Sequence, residues 1–240
     1  MSVFNDRPVG HIVILTGAGV SAESGITTFR DAGGLWENHD PMKIATPEAF
    51  RRDPALVYRF YNARRHKLDE VDPNAAHRAI ARLQREFQGQ VFLVTQNVDD
   101  LHERGGSEQV CHMHGQLRQV LCQACGGRHI AQSKYDGGTA CPHCHTRGEL
   151  RPDVVWFGEM PYHMSQIEGQ LSACDLFIAV GTSGQVYPAA GFVRQAAACG
   201  AQTLEINREI SDVSDCFQYH RQGLATEQVE QLVEELLAGE

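Results

Sequence analysis

The apolar run His11-Ile12-Val13-Ile14-Leu15 leads into Thr16-Gly17-Ala18-Gly19-Val20-Ser21-Ala22. This is the G-x-G-x-x-A pattern, placed directly after a predicted strand. Glycine there permits a tight strand-to-helix turn and lets the backbone approach a pyrophosphate against the amides of a helix start. The same turn also forms without a ligand. A hydride-transferring dehydrogenase should then show a second strand ending in Asp or Glu about 20 residues on. Here that stretch is the loop-like GGLWENHDP, so Glu37 and Asp40 are poor candidates for holding a ribose.

The pattern of apolar strand followed by polar loop recurs at 91–96 (VFLVTQ), 176–181 (LFIAVG) and, more weakly, 202–207 (QTLEIN). Helical stretches separate these runs. Asp53-Pro54 reads as an N-cap with proline at the first helical position, opening a helix to about Asp69. Further helices are expected over about 75–87 and 189–199, with a last one capped by Thr226. Alternating strands and helices imply an α/β fold with a doubly wound, Rossmann-like parallel sheet. Two segments break the alternation, 33–70 and 117–152. They are expected to form a smaller lobe from a helical insertion and a cysteine-rich module, leaving about 1–32, 71–116 and 153–240 for the large lobe of a single catalytic domain.

The 240 residues suffice for such a domain. A net charge of −9 argues against a nucleic-acid binder with a broad basic face. No run has the length of a membrane span, and the first residues lack the pattern of a signal peptide, so a cytoplasmic protein is expected. There, eight cysteines should not be counted as four disulfides. Cys122-x-x-Cys125 and, after fifteen residues, Cys141-x-x-Cys144 have the spacing of a four-thiolate structural zinc site. His143 and His145 could compete as ligands, but are expected to be exposed histidines on the knuckle. Cys111, Cys174, Cys199 and Cys216 stand among apolar neighbours and are expected to be ordinary buried thiols.

In a doubly wound sheet ligands gather at the carboxyl ends of the strands. Gln96-Asn97-Val98-Asp99 follows the second run, His112-Met113-His114-Gly115 comes shortly after, and Gly181-Thr182-Ser183 follows the third. Each has an ordinary reading as turn or surface. Their joint appearance after successive strands points to one site.

GAGVSAESGITTFR, TQNVDDLHERGG, HMHG, the paired CxxC motifs, VVWFGE and GTSGQVYPAA stand in an order that resembles the sirtuins, over roughly residues 10–210. One departure is Thr27-Thr28, where many sirtuins have Pro-Asp. The resemblance implies NAD-dependent removal of acyl groups from protein lysines, giving nicotinamide, O-acyl-ADP-ribose and free lysine. It implies one structural zinc, and acylated lysine-bearing proteins or peptides as partners, with no nucleic acid, no membrane and a monomeric chain. NAD would lie along Gly17, Ala18, Gly19 and Ala22, with Phe29, Arg30 and Trp36 in a loop folded over it. Gln96, Asn97 and Asp99 would hold the ribose and nicotinamide, with Asn97 and Asp99 also catalytic. Gly181, Thr182, Ser183, Asn207 and Ala225 would line the adenosine side. His114 would be the general base that activates a ribose hydroxyl. Val155, Phe157 and Gly158 would receive the substrate backbone as an added strand, together with the 184–187 loop.

Tyr61 and Arg64, three apart on one helix face, match the Tyr-x-x-Arg pair of sirtuins that remove succinyl and malonyl groups. On pattern alone they could also be a solvated basic surface. Two other readings stay open: transfer of ADP-ribose to protein by the same NAD cleavage, and a non-catalytic NAD- or zinc-binding protein.

Overall fold

The computed structural model describes residues 2–27, 40–131 and 134–239. An antiparallel hairpin of β1 (Ser2–Phe4) and β2 (Arg7–Val9) precedes β3 (His11–Thr16), which enters the short helix α1 (Gly19–Ala22). Two helices follow, α2 (Pro47–Arg52) and α3 (Pro54–Lys67). Each opens as the sequence dictates, with Thr46 and Asp53 side chains accepting backbone N–H bonds and proline at the first helical position. Helix α4 (Ala75–Glu86) leads to β4 (Gln90–Thr95), the single turn α5 (Leu101–Arg104) and β5 (Val110–His112).

Strands β6 (Gly115–Cys122), β7 (Arg128–Ile130) and β8 (Leu150–Val154) form a separate antiparallel sheet in the order β7-β6-β8. The chain then returns through α6 (Met164–Ala173), β9 (Leu176–Val180), α7 (Phe192–Ala198), β10 (Gln202–Asn207), β11 (Tyr219–Gln222) and α8 (Ala225–Ala238).

The main sheet is parallel, in the order β11-β10-β9-β3-β4-β5. Alternate residues of β3 serve two cores. Ile12 and Ile14 pack with Leu83 of α4 and Leu232 of α8, while Val13 and Leu15 pack with Phe177, Ile167 of α6 and Val193 of α7. Both faces are covered, as a parallel sheet requires. The chain order reverses across β3, between β4 and β9. Thr16 stands level with Thr95 and Val180, so the residues after all three strands emerge side by side at one edge.

A third core joins α3 to the small sheet through Val57, Tyr58, Tyr61, Leu117, Val120, Leu150 and Trp156. Arg118 of β6 pairs with Asp100 at 3.0 Å and Asp69 at 2.7 Å, fastening this body to the loop after β4.

Several expectations need correction. The zinc-ribbon module expected over 117–152 is a three-stranded sheet with wider bounds, beginning at Gly115 and ending at Val154. Thr226 does not cap α8. It lies inside the first turn, where its N–H and hydroxyl donate to the Glu23 carboxylate at 3.1 and 2.7 Å. Cys111 and Cys174 are buried as expected, but Cys199 is exposed and Cys216 only half-buried, its sulfur accepting from Arg194 Nε at 3.2 Å.

Candidate active site and metal centre

The strand ends and the small sheet enclose a cavity of about 580 Å³. The glycine turn forms one wall: Gly17, Ala18, Gly19 and Ala22 all face it. Gly17 N–H donates to Val180 O at 2.9 Å and Gly19 N–H to Gly181 O at 2.8 Å. A Cβ on Gly17 would sit 2.7 Å from Gly181 O, and one on Gly19 2.6 Å from Gly181 Cα. These glycines are therefore demanded first by the close crossing of two strand-end loops, and Gly181 itself takes φ +63. The wall continues through Thr182, Ser183 and Asn207 to Ala225 at the start of α8. Asn207 Nδ2 donates to Thr182 O at 2.7 Å, and Gln96 Nε2 to Thr182 Oγ1 at 3.0 Å, so three loops are cross-linked around the cavity.

Asn97 and Asp99 also face this space and are nearly buried. Both are held by Ser21: Asn97 Nδ2 donates to Ser21 Oγ at 3.1 Å, and Ser21 Oγ donates to Asp99 Oδ2 at 3.1 Å. His77 Nε2 lies 3.3 Å from the same hydroxyl, while His77 Nδ1 accepts from Asn74 N–H at 3.2 Å. Burial raises the Asp99 carboxyl above its ordinary range, opposed by the bonds from Leu101 N–H and Ser21. Ser21 and His77 escaped the sequence reading. Ser21 is the only polar side chain within residues 17–22, and that was the available signal.

His114 follows β5 and faces the cavity. Its Nδ1 lies 3.1 Å from Gln96 O, a pure acceptor, so Nδ1 carries the proton and Nε2 presents its lone pair. Burial pushes the ring below the ordinary imidazole range, with the Gln96 contact opposing. His112, two residues earlier, bridges Asn97 O at 3.3 Å and Glu103 Oε1 at 2.6 Å.

The cavity is also lined by Val155, Phe157 and Gly158 together with Tyr61 and Arg64. Val155 is not in a strand. It follows β8, and its N–H donates to His114 O at 2.8 Å. Tyr61 is fully buried and Arg64 is 7% exposed, so the solvated-surface reading of this helix face is wrong. Tyr61 packs beside Trp156, whose Nε1–H donates to the phenol oxygen at 2.9 Å, and burial raises the phenol far above its ordinary range. Phe29, Arg30, Trp36 and also Thr28 and Glu37 lie outside the described residues. Asp40 caps a turn through Met42 N–H at 2.9 Å.

Away from the cavity, the sulfurs of Cys122, Cys125, Cys141 and Cys144 all lie within 4.8 Å of one another. Cys122 and Cys144 are 3.7 Å apart, Cys125 and Cys141 3.8 Å. A tetrahedron of thiolates with Zn–S of about 2.3 Å has edges of about 3.8 Å, so the four residues fit a zinc ion. His143 and His145 are exposed and stand outside the cluster. The neighbouring histidine is His129, whose Nε2 lies 3.5 Å from Cys141 Sγ.

The Sir2 family model matches residues 17–188. An NAD-dependent protein deacylase of Vibrio cholerae is 51% identical over 235 residues, covering 97% of this chain and 96% of the relative. One from Pasteurella multocida is 53% identical over 220 residues, covering 91% and 94%. Among solved structures, a Sir2 homologue–NAD complex superposes with a TM-score of 0.86 at 40% identity, covering 94% of this chain and 89% of the other. A Sir2–p53 peptide–NAD+ complex gives 0.79 at 27% identity, covering 94% and 92%. With a glycine turn, a buried Asn–Asp pair, a cavity-facing histidine and a four-cysteine cluster in the matching order, the chain belongs to the Sir2 family.

Proposed function

We propose that this protein is an NAD-dependent protein-lysine deacylase that removes succinyl, malonyl and acetyl groups, acting as a cytoplasmic monomer with one structural zinc. The observation that carries the reading is the shared cavity. It is lined by the glycine turn, Asn97, Asp99 and His114 and also by Tyr61 and Arg64.

NAD is consumed as a substrate along the strand ends, with its adenosine toward Gly181, Thr182, Ser183, Asn207 and Ala225. Asn97 and Asp99, clamped by Ser21, hold the ribose and nicotinamide, with Gln96 alongside. His114 takes a proton at Nε2 from a ribose hydroxyl, and its depressed basicity keeps the ring neutral and ready near pH 7. The substrate backbone runs along Val155, Phe157 and Gly158, pairing with the 184–187 loop. The acyl chain ends at Tyr61 and Arg64, where a guanidinium can bind a terminal carboxylate through two parallel bonds.

Succinyl- and acetyl-lysine peptides incubated with and without NAD test the reading. Nicotinamide and an acylated ADP-ribose should form only when peptide and NAD are both present, with succinyl turnover at least comparable to acetyl. ADP-ribose appearing on protein instead would select the transferase reading. Absence of nicotinamide under all conditions would leave only a binding protein.

A further inference from the structure

We propose that Trp156 is a positioning residue for acyl selection, aiming the Tyr61 hydroxyl into the acyl end of the cavity. The inference rests on the reading of Tyr61 and Arg64 as the acyl-carboxylate site, and extends it to a residue outside that pair.

The direction of the Trp156–Tyr61 bond follows from the donor. An indole N–H can only donate, so at 2.9 Å the phenol oxygen must accept. Accepting from the indole leaves the O–H to donate along another direction. Tyr61 is fully buried, so the bond is made without competition from water. A phenol held in this way meets a carboxylate as a donor, the role that recognition of a succinyl terminus needs.

Trp156 is itself fixed on three sides. Its ring is 2% exposed, with the Arg151 guanidinium 3.5 Å from the ring centroid. Arg151 grips Glu159 at 2.6 and 2.9 Å, and Glu159 Oε2 accepts the Trp156 backbone N–H at 2.8 Å. Phe50 leans on the same ring at 5.3 Å. An aromatic ring needed only to fill this core would not require a donor at Nε1. Stacking Arg151 there would then be an expensive way to support it, because its guanidinium is nearly buried, at 6% side-chain exposure, and such a charge is costly unless well paired.

Trp156→Phe keeps an aromatic ring and removes the donor. The expected result is a rise of about three- to tenfold in KM for succinyl peptide, the size of one neutral hydrogen bond. Its kcat and the KM for acetyl peptide should stay within about twofold. Combined with Tyr61→Phe, it should add nothing further. Should the phenylalanine variant fold poorly, benzothienylalanine at position 156 replaces the N–H by sulfur at nearly constant shape and should give the same split. Equal loss on both peptides, no loss on either, or effects that add to those of Tyr61→Phe would each overturn the inference. Arg64→Met serves as the control. If it leaves the succinyl preference unchanged, the acyl-carboxylate reading falls and the role of Trp156 falls with it. If Arg64→Met abolishes the preference while the Trp156 variants do not alter it, only the role of Trp156 is lost.

Discussion

His114 shares its Nδ1 proton with the carbonyl oxygen of Gln96 at 3.1 Å, and this one contact leaves Nε2 as the ring nitrogen able to accept a proton. Burial holds the ring below the ordinary value of about 6.5. A base works when neutral, so lowering its pKa extends activity toward acid. The acid limb of kcat/KM should therefore lie below the ordinary imidazole range. His114→Ala should lose turnover by about a hundredfold or more while NAD still binds, as read by calorimetry and single-turnover assays. A folded variant with near-normal turnover would remove His114 from the chemistry.

Acid should also unfold the protein through its buried histidines. Burial lowers His77 to about 4 and puts His102 well below its ordinary value. Between pH 6.5 and 4 the unfolded chain binds protons that the folded protein refuses, so stability falls as pH falls. Asp99 works with the opposite sign, since its raised pKa lets the folded state take up a proton first. His77 alone accounts for up to about 3 kcal/mol by pH 4. In urea unfolding from pH 7 to pH 4.5, His77→Gln should flatten the pH dependence of stability. An unchanged slope would mean that His77 is not the group responsible.

Removing one thiolate opens the tetrahedron. Cys122→Ala deletes a fully buried sulfur that also ends β6. Metal analysis should find the zinc content lost, and the melting temperature should drop by about 10 °C or more. Zinc retained at full stoichiometry would contradict the four-thiolate assignment.

Arg64→Met tests the acyl end directly. A hydrogen bond to a charged group contributes roughly 1.5–3 kcal/mol, so desuccinylation should fall about 10- to 150-fold in kcat/KM, chiefly through KM. Deacetylation should change far less, and Tyr61→Phe should act more mildly in the same direction. Parallel loss on both substrates would make Arg64 structural.

The strands β3, β4 and β9 were legible because continuous apolar runs in a doubly covered sheet leave little ambiguity, and β10, QTLEIN, was legible only more weakly. Strands β5 and β11 were not. The first has three residues, and the second is Tyr-His-Arg-Gln on the sheet edge, where neither periodicity nor hydrophobicity marks it. The small sheet was hidden for a different reason: its register joins residues some thirty apart, such as Cys122 with Leu150, across a cysteine-rich connection. Within the site, residues with recognisable chemistry were found, among them Asn97, Asp99, His114 and the four cysteines. Ser21, His77 and Trp156 were missed because their importance lies in which partner each reaches across the fold, and spacing along the chain does not encode that.

The small sheet also sets a mechanical condition on the enzyme. Strands β6 and β8 pair from Cys122 opposite Leu150 to Val120 opposite Pro152 and, past an irregularity that shifts the register, again at Gly115 opposite Val154. At the far end sits a zinc ligand. At the near end His114, one residue before the ladder, is bonded to Val155, one residue after it. The cysteine cluster thus anchors one end of a pairing whose other end sets the spacing between His114 and Val155. The glycine turn and the 181–183 loop belong to the other sheet. A chelator that frees the cysteine end should therefore silence turnover while the dinucleotide continues to dock.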